Sequence, residues 1–64
     1  MQILKTTEVS LLGYSYRLTV EPESIRPYAV ECFKNGELAE VDYFSNKTSA
    51  LRFFDESKTT LKNA

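Results

Sequence analysis

Glu31 and Glu40 are the residues of this chain best placed to do chemistry, provided that the segments on either side of Asn35-Gly36 fold back on one another. An uninterrupted two-residue hairpin sets the two glutamates directly opposite. Carboxylates that close can push their pKa values apart, which is how an acid–base pair is made. The other ingredients are absent. The sequence has no histidine, and Glu21, Glu23, Glu37, Asp42, Asp55 and Glu56 fall in loops or on outward faces, so acid–base work near neutral pH lacks its usual carrier. Cys32 has no imidazole to activate it and reads as a small buried hydrophobe. One cysteine leaves no partner for a disulfide and no pair for zinc. No calcium-loop spacing is present, and the two glycines are too far apart for a phosphate loop. These features point away from an enzyme, and they imply neither a metal nor a cofactor.

The elements that position these residues follow from turn chemistry and hydrophobic period. Asn35-Gly36 suits a type I′ turn, because both central residues need positive φ, which Gly adopts freely and Asn tolerates. The hairpin about it pairs Lys34 with Glu37, Cys32 with Ala39, Val30 with Val41 and Tyr28 with Tyr43 on one apolar face. On the other face Phe33 meets Leu38, Ala29 meets Asp42 and Glu31 meets Glu40. Like charges so placed destabilise a ladder by up to roughly 1 kcal/mol. A first hairpin about Leu12-Gly13 pairs Leu11 with Tyr14, Val9 with Tyr16 and Thr7 with Leu18 on one face, and Ser10 with Ser15, Glu8 with Arg17 and Thr6 with Thr19 on the other. Leu-Gly is a weaker turn signal than Asn-Gly, which leaves a longer loop or a slipped register open. Residues 21–27 carry two prolines and read as a connecting loop. An antiparallel meander is the simplest order, since consecutive strands are usually neighbours.

After Phe44 the period becomes helical. Ser45-Asn46 can cap a helix from about Lys47 to Lys62, with Ala50, Phe53, Phe54, Ser57 and Leu61 as one stripe that Leu51 widens, and Asn63-Ala64 fraying. The expected architecture is α+β: a small antiparallel sheet of two hairpins and about four strands, with one C-terminal helix packed on one face, as a single domain over residues 1–64. Val9, Leu11, Tyr14, Tyr16, Leu18, Val20, Tyr28, Val30, Cys32, Val41 and Tyr43 form the face that meets the helix.

A chain of 64 residues buries only about 60% of its extended surface, which leaves little room for a deep cleft. Its lone cysteine suits a reducing setting, the Met1–Lys5 segment turns polar too soon for a signal peptide, and no apolar run approaches a membrane span. We read it as cytoplasmic. The net charge of −1 is spread unevenly: residues 21–44 hold six acids and two bases, whereas residues 45–64 hold four bases and two acids. The acidic second hairpin argues against a duplex-binding surface on the sheet.

The stretch from Asn35-Gly36-Glu37 through Tyr43-Phe44-Ser45-Asn46-Lys47-Thr48-Ser49-Ala50-Leu51-Arg52-Phe53-Phe54 resembles the arm-type DNA-binding domain of tyrosine integrases, in which a short sheet is followed by a capped helix. It is also similar to small bacterial ββα repeat proteins of unknown role. Integrase-type domains present basic residues on the sheet, whereas this chain offers Glu31, Glu40 and Asp42, so no binding residue is carried over.

The function expected from the residues is therefore a non-enzymatic interaction module. Its outer sheet face, with Arg17, Glu31, Phe33, Leu38, Glu40 and Asp42, meets the basic surface of a protein partner. Free edge strands would also allow a homodimer by strand addition. Size and charge suit a phage or mobile-element accessory protein. The alternative is nucleic-acid binding through Lys47, Arg52, Lys58 and Lys62 on the helix, together with Lys5.

Overall fold

The computed structural model describes residues 1–63, with side chains as far as Thr59. Four strands, β1 (Gln2–Thr6), β2 (Tyr14–Val20), β3 (Tyr28–Lys34) and β4 (Glu37–Phe44), precede one helix, α1 (Lys47–Asn63). The strands lie in the order β1-β2-β3-β4, all antiparallel. The architecture is thus the expected α+β meander with the helix on one face.

The second hairpin turns where its sequence dictates, with φ of 52° at Asn35 and 84° at Gly36. Lys34 pairs with Glu37 and Phe33 with Leu38, as an Asn-Gly turn requires. Beyond Leu38 the expected register fails. Ala39 has no partner, Cys32 pairs with Glu40, and the ladder continues as Glu31 with Val41, Val30 with Asp42, Ala29 with Tyr43 and Tyr28 with Phe44. One unpaired residue is a β-bulge, and it sends every later side chain of β4 to the opposite face. The expected opposition of Glu31 and Glu40 therefore does not exist, and Val41 and Tyr43 do not face the helix.

The bulge has clear physical gains. It relieves a like-charge pair, and it brings Phe44 to the helix side, where its ring meets that of Phe53 at 5.3 Å between centroids. Asn46 caps the helix as expected, its Oδ1 accepting from the Ser49 amide at 2.8 Å. Leu18, Val30, Ala50 and Phe54 form the buried centre, with Leu4, Tyr16, Tyr28, Phe44, Leu51 and Phe53 packed around it. The helical stripe thus docks as read, although the side chains of Leu61 and Lys62, and Ala64 itself, lie outside the described residues.

The first hairpin also differs from expectation. Its strand β1 pairs Gln2 with Val20, Ile3 with Thr19, Lys5 with Leu18 and Thr6 with Arg17, with an irregularity at Leu4. Thr7 closes the ladder by donating its amide to the Tyr16 carbonyl at 2.9 Å. The hairpin then closes by a three-residue turn, Leu11-Leu12-Gly13, with the Ser10 amide donating to the Tyr14 carbonyl at 2.8 Å, rather than by a two-residue Leu-Gly turn. Ser10 stitches that loop, its carbonyl accepting from Gly13 at 2.9 Å and its Oγ from the Tyr14 amide at 3.1 Å. Val9 and Leu11 are consequently exposed and contribute nothing to the core. The loop leans on the second turn, where the Asn35 amide donates to the Gly13 carbonyl at 2.8 Å.

Candidate interaction surface

Reading the ladder across all four strands gives rows of side chains that share a face. The row Thr6, Arg17, Glu31, Val41 and the row Ile3, Thr19, Ala29, Tyr43 lie on the side away from the helix. Gln2, Val20, Tyr28, Phe44 and Lys5, Leu18, Val30, Asp42 lie on the helix side, as do Tyr16, Cys32 and Glu40.

On the helix-free face Arg17 organises the centre. Its Nε donates to Glu31 Oε1 at 2.8 Å, and its guanidinium carbon stands 4.9 Å from the centre of the Phe33 ring. The hydrogen bond to Glu31 raises the Arg17 pKa further above its already high ordinary value. The carboxylate is mostly enclosed, with 13% of its side chain exposed, so Glu31 is a satisfied structural ion rather than a free anion. Leu38 lies opposite Phe33 and is half exposed. Of the residues expected to form one acidic surface, Arg17, Glu31, Phe33 and Leu38 share this face. Glu40 and Asp42 do not.

The bulge fills the vacated positions with Val41 and Tyr43. They border a shallow cup of about 170 Å³ whose other walls include Met1, Thr19, Pro27 and Ala29, with Arg26 and Glu31 alongside. The 21–27 loop shapes that wall, closed by the Glu21 amide on the Pro27 carbonyl at 2.6 Å. Arg26 sits 6.0 Å from the centre of the Tyr43 ring. Uninterrupted pairing hid Val41, Tyr43 and this cup from the sequence reading. The signal that could have found them was the improbable Glu31–Glu40 opposition, which one bulged residue removes.

Glu40 and Asp42 instead stand on the helix side of β4, two residues and hence about 7 Å apart along the strand. They are exposed, as is Glu37 near the turn. Among the described residues the ion pairs join Arg17 to Glu31 and the Met1 ammonium to Glu21, and neither includes Glu37, Glu40 or Asp42, although Lys34 is the cross-strand neighbour of Glu37. β4 is an edge strand, with no further described strand paired to it. Three acids with no ion pair among the described residues therefore flank a row of backbone groups that no other described strand uses.

Other chemistry finds little support in the geometry. Among the described residues no group of three or more His, Cys, Asp or Glu side chains gathers as a metal site would need. Cys32 is buried between Tyr16 and Glu40. The Tyr16 hydroxyl has its pKa raised, first by burial and then by Cys32, with Glu40 adding to the effect. On the helix, Lys47, Arg52 and Lys58 are exposed, but Arg52 stands about 140° round the axis from Lys47 at 3.6 residues per turn. Lys58, three turns further on, returns to within about 20° of Lys47, so those two lysines share a side of the helix that Arg52 does not. No described helix is long and apolar enough to cross a membrane. Compared with protein-family models, with curated proteins and with solved structures, the chain finds no match in any of the three.

Proposed function

We propose that this chain is a non-enzymatic interaction module, working in the cytoplasm, that holds a protein partner with a basic surface along β4. The observation that carries the reading is the set of exposed acids Glu37, Glu40 and Asp42 on that edge strand, none of them ion-paired among the described residues. By contrast the acid of the helix-free face, Glu31, already has Arg17 as its cation and offers little to a partner. Uncompensated rim acids steer cationic partners and discriminate against anionic ones. Nucleic acid is accordingly disfavoured at this edge.

The test is affinity capture from the lysate of the source cell, comparing the native chain with a Glu37→Lys, Glu40→Lys, Asp42→Lys variant. These side chains are exposed, so the variant should fold, as circular dichroism would verify. The reading expects protein partners at low salt that are lost on charge reversal. Retention of every partner by the reversed variant would reject it.

A further inference from the structure

Resting on the reading just given, the geometry points to how the partner is held: an extended segment adds as a new strand along the free edge of β4, and that segment alternates basic with apolar residues. Beyond the bulge, residues 40–44 run in unbroken register with β3, so this stretch of edge is regular enough to template another strand. The opposite edge, β1, has five residues and is itself irregular at Leu4. An added strand shares the pleat of its neighbour, so its successive side chains fall on alternate faces.

On the helix side those side chains would lie beside Glu40 and Asp42, which favours Lys or Arg. On the other side they would lie beside Val41 and Tyr43, the β4 wall of the cup, which favours aliphatic or aromatic residues. Main-chain hydrogen bonds then supply affinity and the alternating pattern supplies selection. The same charges disfavour a second copy of β4 as occupant, since antiparallel self-pairing about this stretch gathers Glu40 and Asp42 of both copies on one face. A homodimer through β4 is therefore not the expected use of this edge.

The experiment is an NMR titration of the labelled full chain with three synthetic capped peptides. One alternates lysine and valine, one carries the same residues as a lysine block followed by a valine block, and one is the alternating peptide with every second amide N-methylated. Strand addition requires that the alternating peptide bind and slow exchange of the outward-facing amides of residues 40–44 by at least about tenfold, as hydrogen bonds formed in a complex do. It also requires that the block and methylated peptides bind about tenfold or more weakly, roughly 1.4 kcal/mol. Equal binding of all three with no amide protection would overturn strand addition while leaving the acidic-edge reading intact. Failure of all three to bind at about millimolar concentration would overturn both.

Discussion

Deleting Ala39 is the perturbation that separates the bulged register from an uninterrupted one. In the structure Ala39 is exposed and unpaired, lying between the Phe33–Leu38 and Cys32–Glu40 pairs. Removing it joins Leu38 to Glu40 and leaves every cross-strand pair from Tyr28–Phe44 to Lys34–Glu37 as it is. The loss is the local twist a bulge adds. Against it stands one fewer residue to order, about 1–2 kcal/mol of backbone entropy. The expected net change is within about 1 kcal/mol of zero. Had the hairpin been uninterrupted, with Val41 and Tyr43 inward, the same deletion would turn both outward, at roughly 1.5–3 kcal/mol each for a fully buried side chain. That total approaches the whole stability of a domain this small, about 3–10 kcal/mol at 0.05–0.15 kcal/mol per residue. Urea unfolding followed by circular dichroism measures the difference. A deletion variant that is unfolded, or destabilised by more than about 3 kcal/mol, would mean that Ala39 is not a bulged residue.

Further outcomes test the packing and the pH behaviour. Phe54 is 2% exposed at the centre of the core, so Phe54→Ala should cost about 3–5 kcal/mol, visibly more than Phe53→Ala at a half-buried position; equal losses in urea unfolding would contradict the helix orientation. Gly13 has φ of 87°, and a Cβ there would press on the Asn35 carboxamide, whose rotation relieves the contact. Gly13→Ala should therefore cost about 1–2 kcal/mol from the left-handed backbone, read as a lowered Tm, and an unchanged Tm would show that the loop can relax. Tyr16 has its folded pKa raised above the ordinary 10.0, chiefly by burial, so the folded state holds its proton more tightly than the unfolded one. Its contribution is complete below that ordinary value and is lost as pH rises through it toward the higher folded one. Stability should thus fall with alkaline pH more steeply in the native chain than in Tyr16→Phe, and identical slopes would count against a raised pKa at this partly buried phenol.

The parts of the fold legible in the sequence are those with local chemical signatures. Asn35-Gly36 declares its turn because few other dipeptides accept two positive φ values, and Asn46 declares the helix start because its side chain satisfies an orphan amide. The even-numbered residues of β2 and β3 face the helix as their alternation requires. The bulge has no such signature. Ala39 is compatible with a regular ladder, and the preference for a bulge arises only from pairings between strands: Phe44 reaching Phe53, and Glu31 escaping Glu40 to meet Arg17. The first hairpin misleads for a related reason. Leu12-Gly13 lies in a three-residue turn closed by backbone bonds from Ser10 to Gly13 and Tyr14, reinforced by the Ser10 hydroxyl and by contact with the second turn, so its register differs from that of a two-residue loop. Glu40 and Asp42, two of the six residues expected on the candidate surface, consequently lie on the opposite face.

Interstrand proton–proton NOEs between β3 and β4 read this register itself, which sets which acids lie on the helix side and which apolar residues line the cup. The bulged register gives contacts joining Glu31 to Val41, Val30 to Asp42 and Ala29 to Tyr43. Contacts joining Glu31 to Glu40 and Val30 to Val41 would contradict it.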